Sequence, residues 1–151
     1  MIGASREDIN SLEAGCCMLS LEHFTREFWS TIIDNELIWS QHMTVMCDEI
    51  EALYNRVFAR QPKINDLIIN VPPGTSKTTI CSIMATCWAF ANMPSIRILV
   101  VSYSDDAVIG IADRIKVIMN SERYKELFPW VKIRRDMNNK HNLRTSHNGE
   151  F

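Results

Sequence analysis

The feature that most constrains this chain is an octapeptide near its middle, Val71-Pro72-Pro73-Gly74-Thr75-Ser76-Lys77-Thr78. A short apolar run, residues 67–70, precedes it, and a long apolar stretch, residues 79–93, follows it. Length favours a buried strand for the first run and a helix for the second. Strand, glycine-bearing turn, Lys-Thr and helix is the order of a phosphate-binding loop. The octapeptide therefore predicts phosphate binding by Gly74, Thr75, Ser76, Lys77, Thr78 and Thr79.

The match to the pattern G-x-x-x-x-G-K-[ST] is incomplete, because Val71 and Ser76 stand where it has glycine. Such a loop works through backbone amides and the positive end of the following helix, so Ser76 still offers a donor. Lys77 would neutralise the β- and γ-phosphates, and the Thr78 hydroxyl would hold Mg²⁺. A proline-rich turn with a chance Lys-Thr remains the alternative.

The remaining pattern alternates apolar runs with helical signals. Residues 66–71 and 97–103 are continuously apolar and predict buried parallel strands. Helices are expected from Lys77 to about Ala91 and after the cap at Ser104. This order predicts an α/β fold, a parallel sheet flanked by helices, with nucleotide at the carboxyl ends of its strands.

Two helices are expected before the loop, one beginning at Ser20 and one with an apolar stripe from Trp39 to Phe58. A short helix beginning at Ser121 should stop before Pro129. Residues 1–19 form a polar segment apart from residues 20–151, in which 20–60 are helical and 64–151 form the nucleotide-binding core. The chain's 151 residues fit one main domain.

Charge and cysteine content narrow the setting of the chain. Residues 1–60 hold ten acids against four arginines, whereas residues 131–147 carry Lys132, Arg134, Arg135, Lys140 and Arg144 against a single acid. The basic segment suits a polyanion or is a solvated loop. Five cysteines without C-x-x-C spacing indicate a reducing compartment. No apolar run reaches the roughly 20 residues of a membrane span.

Several sequence blocks accompany the loop in a recognisable order. They are residues 39–43 with 47–53, 67–73, 100–104, 121–129, 134–136, and 144–146 before Asn148-Gly149-Glu150. With these blocks, over about residues 20–151, the chain resembles the N-terminal part of the ATPase domain of a phage terminase large subunit, the motor that packages viral DNA. The resemblance implies an ASCE-type P-loop NTPase fold, incomplete at its C-terminus.

The resemblance also implies roles for single residues. Lys77 and Thr78 match the phosphate- and magnesium-binding positions, with Lys77 catalytic, and Gln41 falls in the segment beside the adenine base. Tyr103 and Ser104 match a segment that lies near nucleic acid in related translocases and couples it to the ATP site. Gln41 as a helix-capping residue and Tyr103 as an aromatic packed at a strand end remain the alternatives.

Cofactors and partners follow from the same resemblance. It implies ATP and Mg²⁺, double-stranded DNA, a portal protein and small terminase subunit, a homo-oligomeric ring, no membrane, and the cytoplasm of a bacterial host cell. Two departures matter: Gly74 replaces a basic residue and Ser76 a glycine of the family's usual loop. The printed sequence also lacks an acidic Walker B strand and the family's nuclease domain, so we expect nucleotide binding with negligible turnover by these residues alone.

Two other functions stay open at this point. An inactive prophage remnant or interaction module would keep the fold and lose the chemistry, as Val71 and Ser76 favour. Another P-loop DNA translocase or helicase would also carry a loop close to this one, but the blocks around Tyr103 and residues 124–129 argue against it.

Overall fold

Helices dominate the computed structural model, which describes residues 5–134 and 144–151. Of the described residues, 59% are helical and only 4% take part in strand pairing. The α-helices are α1 Arg6–Leu19, α2 Leu21–Phe28, α3 Gln41–Phe58, α4 Ala85–Asn92, α5 Asp105–Asn120 and α6 Glu122–Leu127. A 3-10 turn at Trp29–Thr31 follows α2, and a π-helical segment at Thr79–Met84 leads into α4.

Serine residues begin most of these helices. The hydroxyls of Ser5, Ser20, Ser104 and Ser121 each accept a hydrogen bond from a backbone amide in the first turn of α1, α2, α5 and α6. Such a cap contributes about 1 kcal/mol by satisfying an amide that the helix itself leaves unpaired. The predicted starts at Ser20, Ser104 and Ser121 are confirmed. Ser40, at the start of α3, makes no such bond.

Helix α4 is the centre of the core. Residues 85–91 are all buried, because α1, α2, α3 and α5 pack around this helix. The Trp88 indole Nε1 donates to the Cys17 carbonyl at 2.9 Å and to the Met18 carbonyl at 3.2 Å. The Tyr124 hydroxyl donates to the Cys87 carbonyl at 2.8 Å. These bonds tie α1 and α6 to α4 while satisfying polar atoms that would otherwise be costly to bury.

The predicted α/β fold with a parallel sheet, and with it the P-loop NTPase architecture, is wrong. The described residues contain no sheet; their only strand pairings are isolated bridges, Arg97 with Glu150, Ile133 with Thr145 and Arg144 with Glu150. Residues 66–71 and 98–102 run without regular secondary structure and do not pair with each other. A continuously apolar run therefore identified a segment that packs on the core. It did not identify a strand that pairs with this segment.

The two apolar runs rest on the helices with one side only. Leu67, Ile69 and Val71 pack against the core, as do Ile98 and Val100. The alternate residues Ile68, Leu99, Val101 and Tyr103 are 80–96% exposed. Their continuously apolar sequences predict that both faces of each run are buried. Helices cover one face of each run, and no described segment covers the other.

The last described residues dock beside the second apolar run. The Ile98 amide donates to the Glu150 carbonyl at 2.8 Å, and the Glu150 amide donates to the Ile96 carbonyl at 3.0 Å. The Thr145 amide donates to the Gly149 carbonyl at 2.9 Å, which closes the turn between these two residues. Phe151 is buried at the end of this segment. Among the described helices, none combines the length and the apolar character that crossing a membrane requires.

Candidate functional site

The loop of residues 72–78 has an unusual backbone. Gly74 has a φ of +82° and Ser76 a φ of +61°, so two nearby residues occupy the left-handed region. Ser76 is one of three described non-glycine residues with positive φ, a conformation that costs about 1–2 kcal/mol for an L-residue. The Thr75 hydroxyl donates to the Pro72 carbonyl at 2.7 Å and closes the loop on itself. Strain of this kind is characteristic of functional sites.

The backbone amides of the loop are available to a ligand. Within the described part of the chain, the amides of Gly74, Thr75 and Ser76 donate to no backbone or side-chain acceptor. The Ile80 amide donates to the Ser76 carbonyl at 2.9 Å, so the helix begins directly after Ser76. Successive backbone amides in turn conformations can form an anion-binding concavity, and the positive end of a following helix favours an anion as well.

Lys77 and Thr78 line a cavity of about 400 Å³ between the start of this helix and α3. Tyr54, Cys81 and Ser82 are among its other polar residues. Lys77 is the one charged residue among the described side chains that line it, and it forms no ion pair with any of them. Burial raises the pKa of Cys81, and the nearby Lys77 ammonium opposes that shift.

The helix after the loop begins with a π-helical segment, Thr79–Met84, before α4. Its signature is the Ala85 amide, which donates to the Ile80 carbonyl five residues earlier. Such segments concentrate at functional sites because the wider turn re-aims side chains. Thr79, a predicted phosphate contact, is only 8% exposed and faces the protein interior.

Gln41 lies in a different cavity from Lys77. It is the first residue of α3 and lines an apolar space of about 430 Å³ together with His42 and Glu49. Leu67 and Ile69 line both cavities, so the two spaces lie on either side of the first apolar run. Gln41 is thus placed beside the loop without sharing the space that Lys77 occupies.

Tyr103 and Ser104 are brought together at the start of α5. The Ser104 hydroxyl accepts from the Ala107 amide at 3.3 Å and caps the helix. The Tyr103 ring is 96% exposed, so it does not pack on a neighbouring side chain as the alternative required. Like Leu99 and Val101, Tyr103 is one of the alternate, exposed residues of the second apolar run.

One cluster escaped the sequence analysis because its members come from two helices. Glu13, Cys17 and His23 place their ligand atoms within 4.8 Å of one another, a spacing that could hold a metal ion. His23 Nε2 and Glu13 Oε1 are 2.6 Å apart, which joins α1 to α2. Burial raises the pKa of Cys17 to about 12, and Glu13 adds to the shift. The i, i+4 spacing of Glu13 and Cys17 was the signal available in the sequence.

The basic segment is described in part. Lys132, Arg134 and Arg144 lie within the described residues, and Arg135 and Lys140 lie outside them. Arg144 pairs with Glu150 at 2.7 Å, so part of its charge is neutralised within the chain. Lys132 is exposed.

Comparisons with known proteins identify no relative. The chain matches no protein-family model, no curated protein and no solved structure. A function must therefore be argued from the loop and its surroundings.

Proposed function

We propose that the loop of residues 72–78 binds the phosphates of ATP together with Mg²⁺. The observation that carries the proposal is the set of unpaired amides at Gly74, Thr75 and Ser76, in a loop that runs directly into a helix. Three backbone donors and a helix N-terminus together favour a polyphosphate over a neutral ligand.

The side chains after the loop fit such a ligand. Lys77 is exposed and without an ion pair among the described residues, so its charge can be spent on the phosphates. Thr78 is exposed beside it and offers a hydroxyl oxygen, the type of ligand that Mg²⁺ takes in small number while keeping its waters. Mg²⁺ would supply charge neutralisation between phosphate oxygens. Gln41, one cavity away, supplies a polar group for the base.

The larger role we propose is that of the ATP-binding part of a viral DNA-packaging terminase large subunit, in the cytoplasm of a bacterial host. In this role, ATP hydrolysis by the complete motor moves double-stranded DNA, in a ring with a portal protein and a small subunit. The sequence blocks support it, and the exposed Tyr103 beside Ser104 is accessible to nucleic acid. It rests on the loop and these residues, not on the overall architecture.

We expect these residues to bind nucleotide without turning it over. Hydrolysis needs a group that positions water and further charge on the γ-phosphate. The described side chains that line the Lys77 cavity include no carboxylate, and Glu49 lines the neighbouring cavity instead.

A titration with MgATP tests the proposal. Isothermal calorimetry on the full chain should show saturable binding that weakens at least tenfold with Lys77→Ala, since a charge-assisted contact is worth about 1.5–3 kcal/mol. Lys125→Ala, an exposed lysine on α6, is the matched control and should bind as the wild type does. Equal affinity of the Lys77→Ala and Lys125→Ala variants for MgATP would refute the proposal. An affinity for ATP that EDTA leaves unchanged would refute the role of Mg²⁺.

An interaction module is the second candidate, favoured by the exposed apolar side chains of Ile68, Leu99, Val101 and Tyr103. Exposed apolar surface often marks a site of protein–protein interaction. Under this alternative, Leu99→Ser would weaken self-association or partner binding in analytical ultracentrifugation, whereas Lys77→Ala would not. If the chain instead binds nucleotide, Lys77→Ala should weaken the binding of MgATP and Leu99→Ser should leave it unchanged.

A further inference from the structure

Ser40 differs from the other serines that precede α-helices in the hydrogen-bond partner of its hydroxyl. Its hydroxyl does not accept from an amide of α3, unlike the hydroxyls of Ser5, Ser20, Ser104 and Ser121 in their helices. It lies instead 2.8 Å from His42 Nδ1. The helix therefore forgoes a stabilising cap, and the serine holds an imidazole in place.

The other nitrogen of this imidazole reaches the loop. His42 Nε2 lies 3.3 Å from the Thr75 carbonyl oxygen, across 33 residues of sequence. A carbonyl only accepts, so Nε2 carries a proton. In the neutral imidazole Nδ1 is then the acceptor, and the Ser40 hydroxyl donates to it. Both bonds are satisfied by one neutral tautomer.

The contact falls at the strained point of the loop. Thr75 lies between Gly74 and Ser76, the two residues with positive φ. Its hydroxyl is already bound to Pro72, so its carbonyl is the group through which another element can hold the peptide that joins it to Ser76. A non-glycine residue persists in this conformation only where its surroundings over-determine it.

We propose that His42 is a positioning residue for the phosphate-binding loop, oriented by Ser40 and acting through the Thr75 carbonyl. Fixing this carbonyl fixes the peptide plane whose amide belongs to Ser76, one of the three free donors. The inference rests on the proposed phosphate binding for its consequence but on the observed contacts for its mechanism. It also explains why glycine is dispensable at residue 76, since a contact from α3 supplies the restraint.

The hydrogen bond from His42 to the Thr75 carbonyl is called the tether below. Replacing His42 by glutamine or by asparagine tests whether the tether itself is needed or only a polar side chain at this residue. In His42→Gln the amide nitrogen takes the place of Nε2 and reaches the Thr75 carbonyl. In His42→Asn it takes the place of Nδ1, close to Ser40 but short of the loop. We expect His42→Gln to bind MgATP within about twofold of the wild type and His42→Asn to bind about five- to tenfold more weakly, the effect of one hydrogen bond.

A measurement without nucleotide keeps this inference separable from the proposed function. In the free 151-residue chain, long-range ¹H–¹⁵N spectra should show the His42 imidazole as the Nε2–H tautomer. Amide order parameters at Thr75 and Ser76 should stay near 0.85 in the wild type and His42→Gln, and fall towards about 0.6 in His42→Asn. If the wild type bound no MgATP while these signatures held, phosphate binding would fail and the tether would stand.

Ser40→Ala supplies the companion test. Because no cap bond exists to be lost, urea unfolding of this variant should show a loss of no more than the one hydrogen bond to His42, about 1 kcal/mol. Its loop order parameters should nevertheless fall as in His42→Asn, because the imidazole loses its orienting donor. Equal order parameters in the glutamine and asparagine variants, or an imidazole in the Nδ1–H tautomer, would overturn the inference.

Discussion

Replacing Gly74 by alanine tests whether the left-handed turn of the loop is required by backbone conformation alone. An added Cβ at Gly74 would meet no atom within 4 Å, so crowding plays no part. Gly110, within α5, is the matched control, because a Cβ there also meets nothing within 4 Å. The two sites differ in their backbone: Gly74 has a φ of +82°, whereas Gly110 is helical.

The expected free energies have opposite signs. An L-residue in the left-handed region costs about 1–2 kcal/mol. Removing a glycine from the unfolded chain returns about 0.4–1 kcal/mol. Gly74→Ala should therefore lower the free energy of unfolding by about 1 kcal/mol. Gly110→Ala should raise it by about 1 kcal/mol, because alanine is the better helix former. The gap between the variants is roughly 2 kcal/mol.

Urea unfolding followed by circular dichroism measures this gap. Both variants should keep the wild-type dependence on urea, so that the midpoints report stability alone. In a thermal scan the two variants should differ by about 4–8 °C, from 2–4 °C per kcal/mol for a chain of this size. In the MgATP titration, Gly74→Ala should weaken binding and Gly110→Ala should not. A Gly74→Ala protein as stable as Gly110→Ala would refute the assigned loop conformation.

Three further outcomes follow from the packing. Gly149→Ala should lower the free energy of unfolding by about 1–3 kcal/mol, because its Cβ would clash with the Pro94 carbonyl and break the docking of residues 144–151; urea unfolding checks it. Tyr124→Phe should cost about 1–2 kcal/mol in calorimetry, since the buried Cys87 carbonyl loses its donor, whereas Tyr103→Phe should change nothing. Burial raises the pKa of Cys17 and Cys47 from 9.0 to about 12, so the unfolded thiols ionise first; urea midpoints should hold below pH 9 and fall between pH 9 and about 12. Constant midpoints there would contradict the burial of these thiols.

Local chemistry made much of this protein predictable. Ser20, Ser104 and Ser121 each accept a hydrogen bond from the amide three residues later, so these caps depend on adjacent sequence. The long apolar stretch after Lys77 became a helix ending at Asn92, just before Pro94. The loop between Pro72 and Lys77 likewise depends on its own residues, although the positive φ at Ser76 was visible only as a mismatch to the pattern.

Pairing between distant segments was the part that failed. The apolar runs at residues 66–71 and 97–103 predict two strands of one parallel sheet, yet the described structure places no partner strand beside the first and only a short bridge beside the second. Alternate residues of both runs are exposed instead. Apolar composition reports that a segment seeks burial; it does not report which segment satisfies its amides.

Sequence alone thus determined that α2, α5 and α6 begin after Ser20, Ser104 and Ser121, because each cap depends on interactions within a few residues. The tertiary structure alone decided that the apolar runs lie on helices instead of in a sheet, and that Glu13, Cys17 and His23 meet. It also decided that His42, 33 residues away, holds the Thr75 carbonyl. These contacts depend on how α1, α2 and α3 pack around the core, where burial of the whole chain, and not the preference of any segment, sets the arrangement.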